Sequence, residues 1–418
     1  MAEKKDTEAT QPKAKAKPKV EDDFDEDIIS KNPDLEIAQL YFLYKHVYKT
    51  ENSSLRAEKF LTLLNRIKEN EMGPFYEIVC QETNTIVDQA LLRSIKEKNA
   101  KKLKEIDDEI KDAEENLGES DVRRAWLSKS EYLSQIGSKE AAVEAFRHTF
   151  EKTVGIGYRI DLVFNLIRLG LFFMDNELIS ANISKAKDLM EQGGDWDRKN
   201  RLRCYEGLYK MATRDMKGAA ELFLEAVPTF GAYELMTYES LVFYAIMTTM
   251  LSLDRPALYS KVVRCNEIQE QLTCGGENGE LVSVREFLNA LYGCQYDQFY
   301  KLLGELEVDR LKIDRYLEPH YQFYSRAMRL KAYKQFLTPY KTVRLENMAK
   351  SFGVSKEFID KELHAQVSSG RLNCRIDAVN EVIEMNHTDS RNDLYKAVVR
   401  DGDILLNRVQ KLARVINS

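Results

Sequence analysis

The sequence has few of the residues that build metal centres or redox sites. Its 418 residues include six cysteines and five histidines. Cys80, Cys204, Cys265, Cys274, Cys294 and Cys374 form no CxxC pair and have no close histidine cluster, which argues against a zinc-stapled module and predicts buried thiols in a reducing compartment. His46, His148, His320, His364 and His387 show neither HExxH nor HxH spacing, so they read as isolated polar or core residues rather than zinc ligands. There is no GxSxG elbow, no GxGxxG opening a helix after a strand, and no kinase motif set. Long apolar runs are also absent. No stretch reaches the roughly 20 residues that a membrane span needs, and MAEKKDTEAT lacks the apolar centre of a signal peptide. These absences predict a chain without catalytic activity, cofactor, metal or membrane association, placed in the cytoplasm and nucleus. Charged residues are abundant at 31%, yet the formal net charge is only -6, so no long-range field toward polyanions is implied.

What the chain has in quantity is helical periodicity. Residues 1–30 form a lysine-dotted tail ending in the acidic run EDDFDED, too polar to fold alone. N-terminal helices are expected over 31–118, where Pro33 and Asp34 mark a start and Ile37, Leu40, Tyr41 and Tyr44 share one face. From Lys98 to Leu117 the sequence is mostly charged. Its apolar residues Leu103, Ile106, Ile110, Ala113 and Leu117 make a single narrow seam, suited to docking on a partner or bridging two bodies. The pairs Asp107-Asp108 and Glu114-Glu115 on this helix read as solvated surface.

Over 119–318 the pattern is that of successive helix pairs, broken at Gly137-Ser138, Gly155 to Gly157, Asp175-Asn176, Gly193 to Asp195 and Arg214-Asp215. Gly137, Ala142 and Phe146, and again Ala219, Phe223 and Ala226 before Pro228, follow the spacing of tetratricopeptide-type repeats, with a degenerate period near 38 residues. A small residue lets two helices approach and an aromatic fills the space before the next pair. Helix is expected from Ala257 to Leu272. The glycine-rich CGGENG at 274–279 lacks a following Lys-Ser or Lys-Thr and an incoming strand, so it reads as a connector and not a phosphate loop.

Residues 319–390 change character. A helix from His320 to Leu337 stops before Pro339, a short helix follows from Leu345, a turn falls at Phe352-Gly353-Val354, and a second helix spans Ser355 to Val367. Leu372, Cys374 and Ile376 then alternate, and Val379, Val382 and Ile383 lie near a second strand; helix, turn, helix and hairpin is the winged-helix order. The helix SKEFIDKELHAQ sets Glu357, Asp360 and Glu362 against Lys356 and Lys361, which argues against binding nucleic acid. Residues 391–418 form a C-terminal helical segment, in which Leu405, Val409, Leu412 and Ile416 recur at steps of four, three and four and point to a partner helix.

The fold expected is mostly α: a TPR-like helical-repeat solenoid, a winged-helix module and a C-terminal amphipathic helix. That order resembles the PCI architecture. KNPDLEIAQLYFL at 31–43, NLGESDVRRA at 116–125, GDWDRKNRLRCYEGLY at 194–209, FGVSKEFIDKEL at 352–363 and LLNRVQKLARVIN at 405–417 are similar to the 26S proteasome non-ATPase regulatory subunit 6 family. The resemblance runs from about Lys31 to the C-terminus. It implies a non-catalytic scaffold subunit of the regulatory-particle lid, supporting ubiquitin-dependent protein degradation. Its partners would be other lid subunits, PCI-domain subunits especially, with base subunits as further candidates. Under that resemblance, Leu372, Cys374 and Ile376 would shape an edge-to-edge contact between winged helices, the alternative being a role in the chain's own core. Leu405, Val409, Leu412 and Ile416 would enter a bundle of C-terminal helices. A PCI scaffold of the signalosome or of an initiation-factor complex is the competing assignment, and a winged-helix nucleic-acid binder stands behind both.

Overall fold

The computed structural model describes residues 31–47, 53–83, 85–116, 118–273, 281–386 and 390–416. The tail, the CGGENG connector and Leu117 lie outside the described residues.

The first helix, α1 (Leu35–Phe42), starts where Asp34 accepts the Glu36 amide at 2.9 Å. It buries Ile37, Ala38 and Phe42. Its inward face packs with α2 (Ser53–Glu69) and α3 (Gly73–Thr83) around Leu63, Ile67, Phe75, Tyr76 and Val79, and Phe172 from a later helix completes this layer. The charged helix α4 runs over Gln89–Asn116, starting nine residues earlier than its sequence pattern suggests. Its seam is not left for a partner. Ile110 and Ala113 are buried, and Leu103 and Ile106 pack against Tyr132, Leu133 and Ile136 of the following unit. The expectation of a bridging helix is therefore corrected: a narrow stripe suffices when one neighbouring helix, α5 (Glu119–Gln135), covers it. Tyr132 fixes the contact by donating to Asn99 Oδ1 at 3.0 Å, while Asn99 donates to the Glu71 carbonyl at 3.0 Å.

Helix pairs then stack: α5 with α6 (Lys139–Lys152), α7 (Ile156–Phe173) with α8 (Asn176–Gly193), and α9 (Trp196–Ala212) with α10 (Met216–Ala226). Ala142, Phe146, Ala219, Phe223 and Ala226 are fully enclosed, as the repeat spacing requires. The closest approaches, however, are made by glycines in the first helix of a pair. A Cβ on Gly170 would stand 2.7 Å from Ile179, and one on Gly207 would stand 2.7 Å from the Phe223 ring. Asp175 and Asp215 cap the second helices, accepting the amides of Glu177 and Leu178 and of Gly218. The next helix, α11 (Tyr238–Ser252), is buried on every side from Leu241 to Met250 and packs against α10 and later helices.

The stretch expected as one helix from Ala257 is divided. A turn of α-helix, α12 (Arg255–Leu258), passes into a π-turn closed by Arg264 N–H to the Tyr259 carbonyl at 3.0 Å, and helix resumes as α13 (Asn266–Thr273). α14 (Val282–Tyr292) and α15 (Tyr296–Leu306) stack Phe287 on Phe299. The aromatic helix α16 (Tyr321–Leu337) leads to the winged module: β1 (Thr342–Arg344), α17 (Leu345–Phe352), α18 (Lys356–Ser368), β2 (Cys374–Asp377) and β3 (Val382–Met385). Gly353, at φ 65°, turns the chain between α17 and α18 in a conformation glycine adopts without strain. The sheet is antiparallel in the order β1-β3-β2. Val379 sits in the hairpin turn, 91% exposed, where Asp377 accepts its amide.

Replacing Gly207 with alanine should lower stability by about 1–3 kcal/mol through overpacking against Phe223, although alanine is the better helix former. The urea midpoint of the whole chain measures it; an unchanged or raised midpoint would show that the two helices can move apart freely.

Candidate protein-interaction site

Three groups of polar contacts hold the winged module and the segment leading into it against the repeats. Before α16, residues 313–317 cross the repeats. Gln39 of α1 donates to the Ile313 carbonyl at 2.7 Å and accepts the Arg315 amide at 3.2 Å, and Arg315 donates to the Phe172 carbonyl at the end of α7 at 2.6 Å. Asp314 accepts the Tyr244 hydroxyl of α11 at 2.6 Å and the amides of Tyr316 and Leu317. Burial pushes the Asp314 carboxyl above the usual carboxylate range, with these hydrogen bonds opposing it. Further along, Lys331 of α16 donates to the Met250 and Leu253 carbonyls at the end of α11, and burial brings its ammonium down to about 8.

The third group holds α18. Tyr300 of α15 donates to Tyr333 of α16, Tyr333 donates to Glu362 at 2.6 Å, and Arg329 pairs with the other oxygen of Glu362 at 2.9 Å. Burial raises the Tyr333 phenol far above its ordinary value, so it remains a donor. Phe352 of α17 lies edge-on to both tyrosine rings. The helix that would read a DNA groove is thus tied down by its own glutamate. Glu357 and Asp360 stay exposed, a surface unsuited to phosphate.

Of the expected wing residues, Leu372 and Cys374 are 3% and 5% exposed and belong to the continuous core; Ile376 is half-buried against it. Burial pushes the Cys374 thiol up, away from nucleophilic thiolate chemistry. These side chains point inward, while Arg371, Asn373 and Arg375 alternate outward. β2 is nonetheless an outer strand, with β3 on one side and no further strand among the described residues on the other. What it presents to a neighbour is backbone and Arg375. β1 is the opposite outer strand, and its side opens on a cleft of about 470 Å³ lined by Phe336, Tyr340, Val343 and Val382. Three residues are too short for an alternation, so β1 left no sequence signal.

The C-terminal helix, α19 (Ser390–Ile416), stands apart from this core. Leu405, Val409, Leu412 and Ile416 are 64%, 54%, 60% and 72% exposed. The helix is longer than its sequence stripe suggests. It runs unbroken through Asp401-Gly402-Asp403 and adds exposed Leu394, Tyr395, Val398 and Val399. An apolar surface of this extent on one helix marks an interaction site. Successive repeats also expose Tyr158, Trp196 and Tyr233 at or just before the starts of α7, α9 and α11, a second feature that helical periodicity did not single out.

Comparison with known proteins fits this layout. Residues 88–261 match the family model described as 26S proteasome subunit RPN7, residues 303–387 match the PCI domain, and residues 395–416 match the C-terminal helix of 26S proteasome regulatory subunit RPN7/PSMD6. The 26S proteasome non-ATPase regulatory subunit 6 of Caenorhabditis elegans is 59% identical over 412 residues, covering 99% of this chain and all of the relative. The chain belongs to the 26S proteasome non-ATPase regulatory subunit 6 family. The Arabidopsis thaliana homolog is 46% identical over 93% of this chain and 98% of its own length; RPN7 of Saccharomyces cerevisiae is 32% identical over 93% and 94%. Two of the matching models are described by this proteasome subunit and the relatives above are proteasome subunits, which favours this family over the signalosome and initiation-factor assignments. No helix among the described residues is long and apolar enough to cross a membrane.

Glu362→Ala should remove two charge-assisted contacts, leave Arg329 without its carboxylate, and cost about 2–4 kcal/mol. Hydrogen exchange should accelerate in α18 and not in α5 to α8. Equal protection of α18 in both proteins would show that apolar packing alone holds the winged helix.

Proposed function

We propose that the chain is a non-catalytic scaffold subunit of the 26S proteasome regulatory-particle lid and supports ubiquitin-dependent protein degradation by holding other subunits in place. The observation that carries this reading is α19: a 27-residue helix, matched by a model of the family's C-terminal helix, whose apolar side chains lie exposed. Fully burying a leucine, isoleucine or valine contributes roughly 1.5–3 kcal/mol, so a helix with ten such groups exposed gains most of its stability from a partner.

Two surfaces do the holding. α19 enters a bundle with helices of other lid subunits through Leu405, Val409, Leu412 and Ile416. The winged module, residues 319–390, joins PCI-domain neighbours at its outer strands; Leu372, Cys374 and Ile376 shape β2 from inside, and the backbone edge makes the contact. The helical layers over 31–118 and 119–318 act as the arm that sets the distance between these surfaces and the rest of the complex. Free thiols among the described cysteines fit a reducing compartment, the cytoplasm and nucleus.

Leu405→Asp combined with Leu412→Asp would bury two carboxylates in such a bundle and cost several kcal/mol of binding. Affinity purification of the intact chain at physiological salt should recover lid subunits, and the double variant or a chain ending at Asp403 should not. Recovery of the same subunits by all three would remove α19 from the assembly contacts.

A further inference from the structure

Gly402 lies in the middle of α19, yet nothing in this chain asks for glycine there. No heavy atom lies within 4 Å of the Cβ it lacks, and it is not among the glycines with positive φ. The free helix would be more stable with almost any other residue. Its place in the heptad gives it a reason. Tyr395, Val398, Gly402, Leu405, Val409, Leu412 and Ile416 follow steps of three, four, three, four, three and four, so Gly402 occupies a seam position where every other residue is bulky. The seam is also wider than a pairwise coiled coil uses. Val399 and Leu406, each one residue after a seam position, are 48% and 57% exposed and broaden it on one side. Beyond Asp403 the helix carries Arg408, Lys411 and Arg414 and no acidic side chain, and Arg408 directly precedes the seam residue Val409.

We propose that α19 seats in the groove between two partner helices, that Gly402 is the notch receiving a bulky apolar side chain from one of them, and that this partner is acidic alongside Arg408. This rests on the lid-bundle reading above and names the shape and charge of what α19 meets. A knob seated in a one-residue gap fixes the axial register of the bundle, since sliding by one turn would set it against Val398 or Leu405.

The test is co-expression of the full-length chain with the remaining lid subunits, measuring the fraction incorporated, with circular dichroism of the purified chain beside it. Gly402→Ala and Gly402→Leu should leave helix content equal or higher and reduce incorporation, the leucine variant at least tenfold and the alanine variant less. Arg408→Glu should also reduce it, and more so at low salt. Wild-type incorporation of Gly402→Leu would overturn the notch, and wild-type incorporation of Arg408→Glu the acidic partner. The Leu405→Asp, Leu412→Asp double variant separates the two levels: if it too assembles normally, the bundle reading fails; if it alone is excluded, the bundle stands and the notch falls.

Discussion

One glutamine closes the molecule on itself. The Gln39 amide spans the backbone between Ile313 and Arg315, more than 270 residues away in sequence, presenting a donor and an acceptor much as a neighbouring strand would. Around that contact, Arg315 takes up a carbonyl left over at the end of α7, and Asp314 takes the Tyr244 hydroxyl of α11. Segments without regular structure carry backbone groups that must be paired when enclosed. Residues 313–317 meet that requirement with the side chains of Gln39 and of Asp314 itself, and through the Phe172 carbonyl and the Tyr244 hydroxyl they tie the first helical layer, the repeats and the start of the interaction module together. A solenoid whose repeats touch only their neighbours bends easily; a contact between its first helix and its last turn removes much of that freedom.

The rigidity has a bearing on what the subunit does. An arm that holds two binding surfaces at a set separation must resist deformation between them. Polar contacts at the joints and apolar contacts inside the repeats divide that work. Lys331 of α16 at the end of α11, and Glu362 of α18 against Tyr333 and Arg329, sit where helices of different units meet, while Gly170 with Ile179 and Gly207 with Phe223 set the spacing within a unit. Directional bonds define angles between helices, and close packing defines distances.

Much of this was legible in the sequence. The repeat offsets of Ala142, Phe146, Ala219 and Phe223 located side chains that are fully enclosed, and the winged-helix order was readable from Leu345 to Met385. What escaped notice has physical causes. β1 is three residues long and defined by its pairing with β3, a partner some 40 residues away, so no local pattern marks it. The seam of α4 has the width expected of a docking helix, and nothing within the helix says that α5 supplies the partner. Leu372 and Cys374 alternate as an edge strand should, but alternation alone does not say which face turns inward. The glycines that permit the closest helix contacts, Gly170 and Gly207, lie in first helices, while the repeat pattern drew attention to the alanines of the second.

The centre of α19 carries a weakness that bears on its role. Asp401-Gly402-Asp403 is poor helix sequence, and an isolated helix survives such a stretch only marginally. A helix meant to be stable by itself would not carry that weakness at its centre. One meant to fold fully against partners can, because binding supplies the missing stability and the glycine supplies room for a neighbour. In the proposed bundle, a weakened centre would raise the ordering cost for any partner that covers only half of the helix, and so favour a full-length contact that uses both Val398 and Leu412, which lie exposed on either side of it.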